Sequence, residues 1–147
     1  MPYFHKNFFV KGILIAAMFA ALSLLAVIII SFTPVSGVPV LNYHQINDID
    51  HNAMTITTKQ FEAQMKYLSD NNYTAISPDQ LIDHLESGAP LPAHPVLITF
   101  DDGYEDNYLN AFPILKKYQM TATIFLISDY VSTYEKYLTW DEISLMQ

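Results

Sequence analysis

The chain has 147 residues, a length that fits one domain. Its formal net charge of −8 and the lack of a basic patch exclude nucleic acid as a partner. The sequence contains no cysteine, which excludes disulfides, thiolate zinc sites and cysteine nucleophiles.

The first element is a stretch of 22 residues without charge, Gly12–Thr33. A helix needs about 20 apolar residues to cross the bilayer core, so the stretch predicts a transmembrane signal-anchor over 12–33, after a cytoplasmic tail over 1–11. The alternative is a cleaved signal peptide with its cut at Val35-Ser36-Gly37, which would secrete the chain without residues 1–37. The length of the stretch favours the anchor.

The charges around this stretch predict its orientation. Lys6 and Lys11 precede it, whereas all fifteen acidic residues follow it. The positive-inside rule then predicts a single-pass protein of the cell membrane, with the N-terminus in the cytoplasm and the later domain outside the cell. Residues 34–39, which include two prolines and a glycine, are predicted to be a linker.

Four predicted strands follow, each preceding a predicted helix. Apolar runs of strand length lie over 38–43, 73–76, 95–100 and 121–127. Residues 45–55 are expected to form a polar loop. Continuous apolar strands that alternate with helices predict a parallel sheet covered on both faces, either as a β/α barrel or as an open doubly wound sheet. In both architectures, chemistry sits at the carboxyl ends of the strands.

Capping boxes mark three of the helix starts. In each, a serine or threonine precedes a glutamine or glutamate by three residues: Thr57 with Gln60, Ser77 with Gln80, and Thr139 with Glu142. Gly88 is expected to end the second of these helices. A further helix is expected after Gly103, with Pro113 kinking or restarting it.

The most informative site is Asp101-Asp102-Gly103, which follows an apolar strand. Successive strand side chains point to opposite faces, so the two carboxylates can serve one site only if the chain bends, and Gly103 supplies that freedom. One carboxylate would then hold a cation that lowers the pKa of a bound water toward about 7, and the other would take the water's proton. The alternative is an ordinary Asp-Gly turn after a strand.

His44 ends the first predicted strand and is a candidate general acid, with a structural histidine as the alternative. None of the other histidines has metal-ligand spacing to another histidine, and we assign them no role. Trp140, at a helix start, is expected to serve packing rather than sugar stacking.

These motifs resemble a known family. Leu97-Ile98-Thr99-Phe100-Asp101-Asp102-Gly103-Tyr104 resembles the first motif of the polysaccharide deacetylases, the NodB-homology domains of carbohydrate esterase family 4. Leu41-Asn42-Tyr43-His44 resembles the opening of the subgroup that deacetylates poly-N-acetylglucosamine. Supporting similarity lies in the segments 61–68, 121–126 and 138–143. The resemblance covers residues 40–147 as the N-terminal, truncated part of such a domain.

The resemblance implies metal-dependent hydrolysis of N-acetyl groups from an N-acetylglucosamine-type polysaccharide of the cell surface or matrix. Asp101 would be the general base, His44 the general acid, and Asp102 a ligand of a divalent metal ion, expected to be Zn²⁺. The predicted fold class is α/β: an incomplete (β/α) barrel of the polysaccharide deacetylase type, preceded by one N-terminal transmembrane helix.

The sequence departs from the family pattern in its metal ligands. It lacks the second motif, a His-Ser/Thr-x-x-His pair that completes the metal site, and it contains no arginine. A catalytic zinc site normally has three protein ligands, and the sequence supplies one. We therefore expect the chain to be an inactive fragment of a membrane-anchored N-deacetylase. The alternative is a non-catalytic, membrane-tethered module that binds glycan or a partner chain.

Overall fold

The computed structural model describes residues 3–32 and 37–147, and within the first range it describes the side chains of 11–27. The chain divides into two compact units, Met1–Gly37 and Val38–Gln147. The described part of the first unit is one helix, α1 (Tyr3–Phe32), whose described side chains are exposed.

The transmembrane prediction for residues 12–33 is not confirmed. Over the residues that the structure describes, no helix combines the length and the apolar character needed to cross a membrane. Thr33 lies outside the described residues, as do 34–36 of the predicted linker and the first two residues of the predicted tail.

The second unit alternates strands and helices, as the sequence predicts. Its strands are β1 (Val40–Tyr43), β2 (Gln45–Ile46), β3 (Thr55–Ile56), β4 (Thr74–Ile76), β5 (Pro95–Asp102) and β6 (Thr123–Leu126). Its helices are α2 (Thr58–Asp70), α3 (Pro78–Ser87), a π-helix (Asn107–Ala111), α4 (Phe112–Lys117) and α5 (Trp140–Met146). All three predicted capping boxes form, and Gly88 ends α3 with a φ of 74°.

A four-stranded parallel sheet organises this unit, and β5 is its central strand. β1, β4 and β6 each pair with β5 in parallel. Residues 96–100 of β5 are all buried, which is why they form a continuous apolar run rather than an alternating one. The predicted α/β class and parallel sheet are confirmed, and among the described residues the sheet is open.

The core lies between β5 and the helices on one face of the sheet. Phe61, Met65 and Leu68 recur at helical spacing on α2 and are buried. They belong to one cluster with the strand residues Val96, Ile98 and Phe100 and the α4 residues Ile114 and Leu115. The Phe61 ring is fully buried and meets Tyr43 edge-on at 5.1 Å between ring centroids, so α2 is fixed against both β1 and the sheet centre.

Three local predictions differ from the structure. The predicted polar loop over 45–55 instead contains β2 and the start of β3, which pair in parallel and are too short to show a periodic pattern. β5 continues to Asp102 rather than ending at Phe100. The helix expected after Gly103 begins as a π-helix at Asn107 and becomes α-helical at Phe112, next to Pro113.

Candidate active site

The two aspartates end β5 and lie at the carboxyl edge of the sheet. Asp102 has a φ of 71°, and the Gly103 N–H donates to the Asp101 carbonyl at 2.9 Å, so the chain turns at Asp102 itself. Gly103 has a φ of 76°, and a Cβ at that position would lie 2.5 Å from Leu126 Cδ2. The predicted bend is therefore present, and its positive φ at residue 103 favours glycine.

His44 lies beside Asp101 because β1 pairs with β5. The register places Asn42 opposite Thr99 and Tyr43 opposite Phe100, so the residues after them reach the same sheet edge. His44 Nε2 lies 3.7 Å from Asp101 Oδ2. That distance exceeds a direct hydrogen bond, so the imidazole nitrogen keeps its capacity to bond a third group. The two side chains are 22% and 37% exposed, which leaves the pair accessible from solvent.

Asn42 fixes the orientation of the Asp101 carboxylate. Its amide Nδ2 donates to Asp101 Oδ2 at 2.8 Å. Its amide oxygen in turn accepts a hydrogen bond from the Thr99 hydroxyl, also at 2.8 Å. The Thr99 hydroxyl therefore orients the Asn42 amide, which in turn orients the Asp101 carboxylate. Hydrogen bonds to a charged carboxylate are among the stronger ones in proteins. The sequence places Asn42 in a predicted strand and in the motif Leu41-Asn42-Tyr43-His44, but neither pattern indicates its contact with Asp101.

The π-helix holds the segment that carries His44. Asn107 is buried, and its Nδ2 donates to the His44 carbonyl at 2.8 Å. Asn110, three residues later, donates from Nδ2 to the Ile46 carbonyl at 2.7 Å. Two amides on one helical segment therefore satisfy backbone carbonyls on either side of Gln45, and π-helical segments frequently occur at functional sites. No local sequence pattern indicates this contact.

Two further ionisable groups border the site. The pKa of Tyr104 is raised to about 12, first by burial and then by hydrogen bonding to Tyr137, with a smaller contribution from the negative charge of Asp102. Its neutral hydroxyl is therefore favoured beside the carboxylate pair. Burial also raises the pKa of Asp106, against the opposing effect of the hydrogen bond that Asn47 Nδ2 donates to its Oδ2 at 2.7 Å.

The described residues do not by themselves complete a metal centre. Throughout 3–32 and 37–147, no group of three or more histidine, cysteine, aspartate and glutamate side chains is placed to hold a metal ion. Three protein ligands are normal for catalytic zinc. The predicted ligand Asp102 thus has no set of partner ligands among these residues, which supply fewer than the three that a catalytic zinc site normally has.

Two of the histidines to which we assign no role lie close to backbone carbonyl groups. His84 Nδ1 lies 2.6 Å from the Ala89 carbonyl at the end of α3, and His94 Nδ1 lies 3.2 Å from the Asn71 carbonyl. Trp140 is 55% exposed at the start of α5, so its predicted packing role is not evident from its burial.

Residues 88–147, which contain the Asp101-Asp102 pair, match the family model described as polysaccharide deacetylase. The Bacillus subtilis (strain 168) protein YxkH, whose name assigns it to the polysaccharide deacetylases, is 42% identical over 108 residues, which are 74% of this chain and 38% of that protein. The chain contains part of a polysaccharide deacetylase domain. The poly-β-1,6-N-acetyl-D-glucosamine N-deacetylase of Escherichia coli (strain K12) is 32% identical over 102 residues, or 68% of this chain and 15% of that enzyme.

Solved structures of deacetylases share the fold of this domain. The Streptococcus pyogenes deacetylase PplD, solved in complex with acetate, superposes with a TM-score of 0.70 and 29% identity over 78% of this chain and 53% of that one. IcaB from Ammonifex degensii superposes with a TM-score of 0.66 and 32% identity over 75% of this chain and 48% of that one. The chain therefore spans about half of these solved deacetylases and well under half of the two curated relatives.

Proposed function

We propose that this deacetylase domain contributes to the hydrolysis of N-acetyl groups on an N-acetylglucosamine-type polysaccharide. One observation carries the proposal: the Asp101 carboxylate and the His44 imidazole lie 3.7 Å apart at the carboxyl edge of a parallel sheet. The names of the curated relatives, which include a poly-β-1,6-N-acetyl-D-glucosamine N-deacetylase, support this substrate class. The net charge of −8 favours a neutral or cationic polymer over a polyanion.

The two side chains have complementary roles in the proposed reaction. Asp101 accepts a proton from a water molecule while the water oxygen forms a bond to the acetamide carbonyl carbon. Protonated His44 donates a proton to the amide nitrogen as the carbon–nitrogen bond breaks. The products are acetate and a free amine on the sugar. Asn42 holds the accepting carboxylate in place, and Asn107 holds the backbone of the donor.

We propose Asp102 as one ligand of a divalent metal ion, with Zn²⁺ the first choice. Such an ion, held in part by Asp102, would supply Lewis-acid chemistry at the site. The described residues supply no group of three ligands, so the proposal places the further ligands outside them. We accordingly expect the 147-residue chain alone to release no acetate. The same lack of ligands favours the second candidate function, a non-catalytic module that binds glycan or a partner chain.

The proposed function is tested with a hybrid protein. In it, the 102-residue stretch that matches the Escherichia coli N-deacetylase replaces its counterpart in that enzyme, which supplies the remainder of the domain. We expect the hybrid to release acetate from a β-1,6-linked N-acetylglucosamine oligomer, and we expect the release to require Asp101. A hybrid that is folded and inactive would favour the non-catalytic module.

We propose that the domain functions outside the cytoplasm, based on the uncharged stretch over 12–33 and the lysines before it. Alkaline phosphatase fused after Pro39 should be active in whole bacteria, because that enzyme folds only after export, whereas a fusion after Lys11 should be inactive. Activity that pellets with membranes would indicate an anchor, and activity in the medium a cleaved signal peptide. An inactive Pro39 fusion, present in equal amount, would contradict export.

A further inference from the structure

The segment between β6 and α5 carries three tyrosines whose rings contact one another. Tyr130 meets Tyr137 edge-on at 4.8 Å between ring centroids and meets Tyr134 edge-on at 5.0 Å. Tyr137 also stacks on Tyr104 at 4.9 Å, with 23° between the ring planes. Four rings thus form a continuous array, which we call the tyrosine array: Tyr104, Tyr130, Tyr134 and Tyr137.

The tyrosine array is fixed to the turn that bears the carboxylate pair. Leu138 N–H donates to the Gly103 carbonyl at 3.0 Å, and Glu105 N–H donates to the Lys136 carbonyl at 2.9 Å. Tyr104 follows Asp102 by two residues, so one end of the array starts at the candidate site. The array therefore holds a constant position relative to the carboxylates, as a binding surface for an extended substrate requires.

The other end of the array is open to solvent. Tyr134 is 56% exposed, and a groove of about 380 Å³ is lined by Tyr130, Tyr134, Tyr137, Glu135 and Lys136. Tyrosine combines a flat apolar ring with a polar hydroxyl, and it contributes a large contact area at little cost in conformational entropy. A ligand suited to this surface has a flat apolar face with polar groups around its edge.

We propose that the tyrosine array binds a pyranose ring of the polysaccharide, next to the sugar that is deacetylated. A pyranose presents C–H groups on one face and hydroxyls around its rim, which match the rings of the array and the charged groups of Glu135 and Lys136. Nucleic acid bases also stack on aromatic rings, but the charge of −8 disfavours them. The inference rests on the proposed function for the identity of the glycan, and it adds a second subsite beside Asp102.

The test compares the binding of a β-1,6-linked N-acetylglucosamine pentamer and of the monosaccharide to the 147-residue chain by isothermal titration calorimetry. Tyr134→Ala should weaken pentamer binding about three- to tenfold, the size expected for one lost ring contact, and should leave monosaccharide binding unchanged. Tyr134→Phe, which keeps the ring, should bind like the unsubstituted chain. Tyr67→Ala, which removes a ring that is 60% exposed on α2, should also bind the pentamer like the unsubstituted chain.

Either of two results would overturn the proposal: equal pentamer affinity for Tyr134→Ala and the unsubstituted chain, or no pentamer binding by the unsubstituted chain. The proposed catalytic function and the proposed glycan subsite are tested by different measurements, so either one can be contradicted without the other. If the hybrid releases no acetate while Tyr134→Ala still weakens pentamer binding, the glycan subsite stands and the catalytic role falls. If the hybrid is active and Tyr134→Ala binds normally, only the subsite falls.

Discussion

Replacement of His44 by glutamine is expected to lower the rate of acetate release by the hybrid enzyme about 10²- to 10⁴-fold, the usual contribution of a general acid. Glutamine keeps a polar side chain of similar reach, but it cannot deliver a proton to the leaving nitrogen. The backbone contact from Asn107 to the carbonyl of residue 44 would remain, because it does not involve the substituted side chain. The measurement is kcat for acetate release at saturating oligomer.

The matched control for this substitution is His84→Gln. His84 is exposed on α3, and its Nδ1 lies 2.6 Å from the nearby Ala89 carbonyl oxygen. We expect its kcat to stay within about twofold of the unsubstituted hybrid, a change typical of a surface position. A His44→Gln hybrid that retained the control's rate would remove His44 from the mechanism and leave it as a structural histidine.

Replacement of Phe61 by alanine is expected to lower the free energy of unfolding of the chain by about 3–5 kcal/mol. The ring is fully buried in the core cluster and contacts both Tyr43 and Phe100, with centroid distances of 5.1 Å and 5.8 Å. Its removal leaves a cavity between α2 and the sheet. Small domains have stabilities of about 5–15 kcal/mol, so the loss would be a large fraction of the total.

Urea unfolding followed by circular dichroism measures this loss. Tyr67→Ala is the control on the same helix, because its ring is 60% exposed, and we expect a change of about 0.5 kcal/mol or less. Equal unfolding midpoints for Phe61→Ala and the unsubstituted chain would contradict the position of α2 against β1 and β5.

Local sequence patterns predicted the elements that depend on local interactions. The three capping boxes form because each involves residues only three apart, and the strand leading into Asp101 was evident from its continuous apolar run. The meeting of His44 and Asp101 was implied by a general rule, since the carboxyl ends of parallel strands share one edge. The sequence pattern did not predict that β1 and β5 are direct neighbours in the sheet. This pairing brings His44 Nε2 to 3.7 Å from Asp101 Oδ2.

The residues that support the site were not predictable in the same way. Asn42 contacts Asp101 only because of the register between β1 and β5, and register is a property of the folded sheet. Asn107 reaches the His44 carbonyl from a π-helix, whose wider turn has no reliable local signature. β2 and β3 have two residues each, too few for a period to be recognised.

The central claim is that Asp101 serves as the proton acceptor of a hydrolytic site. Its most direct test is the rate of acetate release by the hybrid enzyme with Asp101→Asn, compared with Asp79→Asn, which changes an exposed aspartate at the start of α3. We predict a loss of about 10²- to 10⁴-fold for Asp101→Asn and a rate within about twofold for Asp79→Asn. Equal rates in a folded, active hybrid would contradict the claim.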